Sequence, residues 1–243
     1  MLKKYLLITL LIASLSVITG CEIMDYLPDE EKPPPGYGTL SGNVVDDLSG
    51  VGLWMGTVEI AGQVTEIEGG KFQVENIPVG PQNLLISKEF YQDQKIEVII
   101  ENQTNMIDVK MTPIFSDSDL DLFARMVHAE SRGEPYRGQV AVAASILNRV
   151  RHHNYPNTLR GVMYSRSEHG YAEYSPIDDG SINIPASQTA INAARDALSG
   201  WDPSLGATGF FAPAKVPDRS NWVWQQIPII DIGNHRFFRA RTD

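Results

Sequence analysis

Residues 122–150 read LFARMVHAESRGEPYRGQVAVAASILNRV, and this stretch decides the fold of the second half of the chain. Apolar residues recur at helical spacing up to Glu130, and the pattern then breaks at Gly133 and Pro135 before a second apolar helix begins. The sequence therefore predicts two packed helices joined by a short turn. It also places a carboxylate at the end of the first helix, beside a glycine turn, where an acid can lie in a cleft.

Glu130 is the best candidate for an acid catalyst. Cleavage of a glycosidic bond needs a carboxylic acid that protonates the leaving oxygen, and partial burial keeps such an acid protonated near neutral pH. The position of Glu130 suits this role and indicates a glycan-cleaving enzyme. A solvated glutamate at a helix end is the alternative interpretation, and residue statistics alone favour it.

The helical pattern extends on both sides of this stretch. It begins at Ser116, whose spacing to Asp119 is typical of a capping box, and Pro135 suits the first turn of the second helix. Shorter elements are predicted further along, namely helices at 156–164 and 187–198 and strands at 208–211 and 229–232. Gly200 is expected to end the last helix.

Residues 38–113 have the pattern of a small β-sandwich. Glycine, proline or Asx turns separate short alternating runs at 39–45, 56–60, 71–74, 83–86, 95–100 and 105–110. The segment GGKFQVENIPVG, residues 69–80, resembles carboxypeptidase regulatory-like (transthyretin-like) domains, which implies a fold but no chemistry. A structural spacer is favoured over a carbohydrate- or partner-binding role. We expect two domains, a small all-β sandwich at 38–113 and a mostly α-helical catalytic domain at 116–243.

The beginning of the chain reads as an export signal. Two lysines precede an apolar run at 5–18, which is too short to span a bilayer, and a small-residue site ends at Cys21. The sequence ITGC resembles a bacterial lipoprotein box, which implies that Cys21 is lipidated and anchors an exported protein to the membrane, facing the cell wall. Cys21 is the single cysteine, so no intramolecular disulfide can form. The acidic, proline-rich residues 22–37 predict an extended linker.

Composition and motifs argue against other classes of function. A formal net charge of -10 and the lack of a basic stripe argue against nucleic-acid binding. The five histidines form no His-Glu-x-x-His or similar pair, so we expect neither a metal site nor a cofactor. No Gly-x-Ser-x-Gly elbow supports a serine nucleophile.

The motif HAESRGEPY at 128–136, followed by GQVAVAA at 138–144 and LNRV at 147–150, resembles the spore cortex-lytic enzyme family (SleB/CwlJ-type cell wall hydrolases). The likeness continues in blocks at 155–164, 179–183, 194–203, 222–224 and 232–235, and it covers about residues 118–239. Members of that family cleave the peptidoglycan glycan strand with a lysozyme-like helical (α+β) domain. The resemblance implies that Glu130 is the catalytic acid and that peptidoglycan is the substrate.

The reaction type stays open between several alternatives. Some members are lytic transglycosylases, in which one carboxylate suffices because the bound sugar supplies the nucleophile, and we favour this reaction. A muramidase or glucosaminidase that uses water needs a second carboxylate. Candidates for that group are Glu134, Glu168, Glu173, Asp178 and Asp179. A peptidoglycan-binding lipoprotein without activity, and an amidase or peptidase, are the rivals from other classes.

Eight residues are candidates for substrate binding: Glu134, Gln139, Asn148, Tyr174, Ser175, Phe211, Trp222 and Trp224. Glu134 follows Glu130 by four residues, but Gly133 interrupts the helix between them. The amides of Gln139 and Asn148 could bind acetamido groups, with capping or helix–helix hydrogen bonds as an equal alternative. The aromatic rings could stack on sugars, although such side chains lie in a core more often.

Overall fold

Ten strands and five α-helices follow one another along residues 36–241, the part of the chain that the computed structural model describes. The predicted export signal, the lipidation site at Cys21 and the linker up to residue 35 lie outside the described residues. Within residues 36–241, no helix is long and apolar enough to cross a membrane.

The first half is built of strands that form two sheets. Its strands are β1 (Tyr37–Asp46), β2 (Thr57–Ile60), β3 (Gln63–Glu66), β4 (Lys71–Pro78), β5 (Gly80–Ser87), β6 (Gln94–Ile100) and β7 (Thr104–Met111). The strand orders are β4-β1-β7 and β3-β2-β5-β6, and β1 pairs with β7 in parallel. Alternate residues of β1 are buried, as expected for a strand with one face on a core. Leu40 and Val44 of β1 share that core with Val58 and Ile86 of the second sheet.

The six predicted strand runs correspond to six of these seven strands. The strand that the sequence pattern missed, β3, is exposed over most of its length and has no apolar alternation. It forms because β2 and β3 are joined by a tight turn at Ala61 and Gly62, which both have positive φ angles. Hydrogen bonding to β2, rather than burial, therefore defines β3.

The second half is mostly helical. Its helices are α1 (Asp117–Ser131), α2 (Tyr136–Arg151), α3 (Leu159–Met163), α4 (Pro176–Asp179) and α5 (Gln188–Ser199). A small antiparallel sheet follows, with β8 (Gly209–Phe211), β9 (Ile227–Ile232) and β10 (His235–Arg239) in the order β8-β10-β9. The sequence pattern did not predict α4 or β10. Both are short, and neither has a long apolar period to mark it.

The helix ends follow the sequence signals closely. Ser116 is the N-cap of α1 and accepts a hydrogen bond from the backbone N–H of Asp119 at 3.2 Å, as the capping pattern predicted. Gly200 ends α5 in a left-handed conformation. Between these ends, α2 is buried along most of its length, and its small residues Ala141, Ala143 and Ala144 allow close packing against α1 and α5.

The sheet region and the helical region are in contact, and residues 36–241 pack as one compact unit. The backbone N–H of Trp54, in the sheet region, donates to the carbonyl of Ser199 at the end of α5 at 2.8 Å. The ring of Phe90 lies 5.3 Å from that of Phe115, centroid to centroid. The predicted division into domains at 38–113 and 116–243 stays a prediction, since the two regions share an interface of both polar and aromatic contacts.

Gly200 is expected to be essential to this interface. Its φ of 117° suits glycine, and a Cβ atom there would lie 2.9 Å from the carbonyl oxygen of Trp54. Gly200→Ala should therefore combine backbone strain with a clash and lower the free energy of unfolding by about 2 kcal/mol or more. Gly62→Ala is the matched control, because Gly62 has a φ of 75° but open space around it, and should cost only about 1 kcal/mol. Chemical denaturation measures the free energy of unfolding of both variants. Equal losses of stability would contradict a clash between the added Cβ atom and Trp54.

Candidate active site

The candidate acid, Glu130, is the last but one residue of α1. The apolar face of α1, with Phe123 and Val127 fully buried, fixes the helix against the core. The hydroxyl of Ser131 donates to the carbonyl of Val127 at 2.6 Å, which satisfies a backbone acceptor at the helix end. The helix α1 ends one residue after Glu130, and Glu130 is half-buried rather than fully exposed.

The surroundings of Glu130 favour its protonated form. The pKa of the Glu130 carboxyl is raised from 4.5 to about 7, mainly by burial and secondly by the negative charge of Asp179. The positive charges of Lys215 and Arg149 act in the opposite direction but do not cancel the effect of burial. A carboxyl group with a pKa near 7 can donate a proton and later accept one at the same pH, which is what a general acid and base must do.

Arg149 is the best-fixed charge near Glu130. Its guanidinium lies over the ring of Tyr155, 5.0 Å from the centroid, and over that of Tyr174, at 5.2 Å. Its Nε donates to the carbonyl of Thr208, and its NH1 lies 3.8 Å from a carboxylate oxygen of Glu173. These contacts hold a positive charge at one position near the acid.

Tyr174 is a buried phenol in the same electrostatic environment. Burial raises the pKa of Tyr174 to about 12, with Arg149 acting in the opposite direction and Glu130 adding to the increase. The hydroxyl therefore stays protonated at any pH at which the protein works. Tyr174 was predicted to line a substrate groove. The structure places it in the core, under Arg149 and within electrostatic range of Glu130.

Among the five candidates for a second carboxylate, the structure brings Asp179 into electrostatic range of Glu130. Asp179 ends α4, and Ser181 hydrogen bonds to its carboxylate, so the pKa of Asp179 lies below its ordinary value. The two carboxyl groups thus differ sharply, with Glu130 half-buried and Asp179 exposed. In a pair of carboxyl groups, the buried one with the raised pKa can serve as the acid and the exposed one with the lowered pKa as the base.

Glu134, a predicted substrate-binding residue, makes contacts within the protein. Its carboxylate accepts hydrogen bonds from the backbone N–H of Asn234 at 2.7 Å and from its side-chain amide at 3.1 Å. Asn234 lies in the turn between β9 and β10, so Glu134 joins that turn to the loop between α1 and α2. Gly233 beside it leaves no room for a side chain, because a Cβ atom would lie 2.2 Å from the Glu134 carboxylate.

The two predicted amide ligands also hydrogen bond within the protein. Gln139 is buried and its amide nitrogen donates to the carbonyl of Glu134 at 3.1 Å. The amide nitrogen of Asn148 lies within hydrogen-bonding distance of Asp202, Ser204 and the carbonyl of Ala207. These bonds correspond to the alternative interpretation of both residues, in which the amides join helices to loops.

The predicted aromatic residues fall into two groups. Phe211 is buried against Trp224, whose ring lies 3.7 Å from the guanidinium carbon of Arg219. Trp222 is 57% exposed and lies at a cleft of ≈ 440 Å³. The cleft is lined by Arg149, Tyr155, Glu173, Arg166, Phe238 and neighbouring residues. Ser175, also predicted to bind substrate, is the exposed residue that precedes α4. Of this set, Trp222 offers an accessible ring at the same cleft that Arg149 lines.

Sequence reasoning did not identify Arg149, Tyr155 or Lys215 as site residues. Arg149 ends the LNRV block and could have been noted there, because an arginine on the otherwise buried α2 needs partners. Lys215 lies in a short 3₁₀ turn, Pro213–Lys215, and no local pattern relates it to Glu130. Within residues 36–241, no group of three His, Cys, Asp or Glu side chains is placed to hold a metal ion.

A family model described as Cell Wall Hydrolase matches residues 133–238. The match begins three residues after Glu130, so it covers α2 to β10 but not the acid itself. The spore cortex-lytic enzyme of Bacillus cereus is 42% identical over 123 residues, which are 51% of this chain and 45% of the relative. That of Bacillus subtilis (strain 168) is 41% identical over 123 residues, 51% of this chain and 38% of the relative.

The chain therefore spans less than half the length of these curated relatives. Among solved structures, it is similar to the catalytic domain of the germination-specific lytic transglycosylase SleB from Bacillus anthracis. The identity is 40%, the TM-score is 0.47, and the match covers 52% of this chain and 98% of that one. The matching part is the C-terminal half, as the motif blocks predicted.

The raised pKa of Glu130 has a consequence for stability. Below pH 4.5 the carboxyl is protonated in both the folded and the unfolded chain. Between pH 4.5 and about 7 only the folded chain keeps the proton, so stability falls as the pH rises through this window. Glu130→Gln removes the titration. The variant should equal the wild type at pH 4 and be more stable by about 1–3 kcal/mol at pH 8.

Denaturant unfolding at a series of pH values measures this difference. Glu168→Gln, which changes an exposed glutamate in the loop before α4, is the control and should not reproduce the pH course. Two results would contradict a buried carboxyl with a raised pKa. One is a difference in the free energy of unfolding between Glu130→Gln and the wild type that does not change with pH, and the other is a variant less stable than the wild type at pH 8.

Proposed function

We propose that this chain cleaves the β-1,4 bonds between N-acetylmuramic acid and N-acetylglucosamine in peptidoglycan, and the match of residues 133–238 to the Cell Wall Hydrolase model supports this. The reaction is a lytic transglycosylation with Glu130 as the single acid and base. The observation that carries the proposal is the half-buried carboxyl at the end of α1, with a pKa of about 7. The identity of more than 40% to spore cortex-lytic enzymes supports the substrate.

The proposed reaction has two proton transfers. Protonated Glu130 donates its proton to the glycosidic oxygen, the bond from C1 of N-acetylmuramic acid to that oxygen breaks, and N-acetylglucosamine leaves as the alcohol. The Glu130 carboxylate then takes the proton of the 6-hydroxyl of the same muramic acid. The freed oxygen bonds to C1 and forms a 1,6-anhydro ring, and Glu130 is protonated again.

Charges around Glu130 suit this cycle. In the first step the carboxyl becomes negative, and the nearby Arg149 and Lys215 stabilise that charge. In the second step it must accept a proton, and burial together with Asp179 favours the neutral form. The balance near pH 7 lets one side chain perform both steps, so no second carboxylate need activate a water molecule.

Asp179 supports a second candidate, a hydrolytic muramidase or glucosaminidase. Its low pKa keeps it ionised, and its charge acts on Glu130, so it could serve as a base for an attacking water molecule. A hydrolase would release reducing ends, whereas a transglycosylase releases anhydromuramic ends, which are one water lighter.

We also propose a fold class for each region and a location for the protein. The helical region would be lysozyme-like, and the sandwich of β1 to β7 would be a regulatory-like spacer. The export signal at 1–21 and lipidation at Cys21 would anchor the enzyme to a bacterial membrane. An anchor of two or more acyl chains would hold stably, because each buried CH₂ contributes about 0.8 kcal/mol. The linker between the anchor and the folded part would end before Tyr37, where β1 begins, rather than at residue 37 as the sequence predicted.

Substitution of Glu130 tests the activity. Glu130→Gln should lower the release of soluble fragments from purified cell walls by about 10²–10⁴-fold, because the amide cannot donate or accept the proton. Binding of the variant to insoluble walls should persist. Turbidity clearing and a pull-down assay measure the two effects. Full clearing by Glu130→Gln would reject Glu130 as the acid, and a wild-type chain that binds walls without releasing any fragment would be a binding lipoprotein.

Substitution of Asp179 decides between the two reactions. In a transglycosylase, Asp179→Asn removes a negative charge that raises the pKa of Glu130, so the loss of activity at high pH should begin at a lower pH. Anhydromuramic products should still form. Mass spectrometry of the products identifies the ends. Reducing ends from the wild type, together with an Asp179→Asn variant about as inactive as Glu130→Gln, would establish hydrolysis instead.

A further inference from the structure

A second cleft, apart from Glu130, lies between the sheet region and the helices. Its volume is ≈ 330 Å³. Residues from the loop after β5, from α2 and from the end of α5 line it, and they include Lys88, Glu89, Asn148, Arg151, Gly200 and Asp202. Clefts at the contact between two regions of a chain are common ligand sites.

The loop that supplies Lys88 is held firmly against the helices. The guanidinium of Arg151, at the end of α2, lies 4.8 Å from the centroid of the Phe90 ring, and its Nε donates to the carboxylate of Glu89. The Tyr91 hydroxyl donates to the buried Asp46 carboxylate at 3.1 Å. The position of Lys88 relative to α2 is therefore set by its neighbours on the loop.

Lys88 is a charged side chain that lacks a partner of opposite charge. It is only 6% exposed. Among residues 36–241, no acceptor lies within hydrogen-bonding or ion-pair distance of its ammonium group. The ammonium nitrogen lies 5.8 Å from the centroid of the Tyr91 ring. The side chain is thus largely shielded from water, and an anion that enters the cleft could supply the contact that the ammonium group does not find in the protein.

The other charges that line this cleft are paired. Glu89 accepts from Arg151, which also donates to the side-chain oxygen of Asn148 at 2.9 Å. The Asp202 carboxylate accepts from the backbone N–H groups of Ser204 and Gly206, at 2.8 and 2.9 Å, and from the Asn148 amide at 3.0 Å. One unpaired positive charge, that of Lys88, therefore faces the cleft.

We propose that this cleft binds a carboxylate group of the peptidoglycan stem peptide, with Lys88 as the cation that receives it. The assignment of this carboxylate to a stem peptide rests on the proposed function. A singly charged anion matches a single unpaired cation. A doubly charged phosphate would meet the carboxylates of Glu89 and Asp202 at the same cleft, which disfavours it.

The electrostatics of Lys88 agree with this geometry. The pKa of Lys88 is lowered to about 8, mainly by burial and secondly by the positive charge of Arg151, while Glu89 partly offsets both. The ammonium form still predominates at neutral pH. A bound carboxylate would favour that form.

A titration of the full chain with N-acetyl-D-alanyl-D-alanine, which carries one carboxylate, tests the proposal. Chemical shifts of the backbone amides around Lys88 and Glu89 should move with saturation. Lys88→Met, which keeps the length of the side chain and removes its charge, should weaken the Kd by about tenfold or more. Lys95→Met changes an exposed lysine on β6 and should bind like the wild type. The C-terminal amide of the same dipeptide should not bind.

Four results would overturn the proposal: no saturable shift in the wild-type chain, equal binding of the dipeptide amide, unchanged affinity in Lys88→Met, or tighter binding of inorganic phosphate than of the dipeptide.

Release of glycan fragments from cell walls, measured on the same samples, separates this inference from the proposed function. Fragment release without Lys88-dependent binding rejects the cleft alone. Lys88-dependent binding without fragment release rejects the proposed glycan cleavage alone.

Discussion

The half-burial of one carboxyl group, that of Glu130, is the constraint on which the candidate active site depends. A solvated glutamate would be ionised at neutral pH and could not donate a proton. Burial changes this by raising the pKa to about 7. Half-burial is possible because the apolar face of α1 fixes the helix in the core and the helix ends one residue later, before Gly133 and Pro135.

The charges that balance Glu130 come from distant parts of the chain. Arg149 lies on α2, Asp179 ends α4 and Lys215 belongs to a 3₁₀ turn after β8. Arg149 is held between two tyrosine rings, and the turn of β9 and β10 is held by Glu134 through Asn234. The residues expected to bind substrate thus include several, such as Glu134 and Asn148, whose polar atoms hold the site together.

The sheet region is attached to the helices through a few specific contacts. Trp54 bonds to the end of α5, and the loop after β5 meets Arg151 at the end of α2. This arrangement places the largely buried Lys88 in the contact region, with no acceptor for its ammonium group among residues 36–241. An anion bound at Lys88 would give the sheet region a role beyond that of the proposed spacer.

The sequence by itself determined six of the seven strands of the sheet region, the capped start of α1 at Ser116 and the end of α5 at Gly200. These features depend on local periodicity and turn chemistry, which neighbouring residues carry. The sequence also singled out Glu130, through its place at a helix end and its family-like motif. Only the tertiary structure decided the rest: the burial that shifts the pKa of Glu130, the approach of Arg149, Asp179 and Lys215, and the isolation of Lys88. Burial and charge contacts join residues far apart in the chain, and no local pattern records which of them will meet.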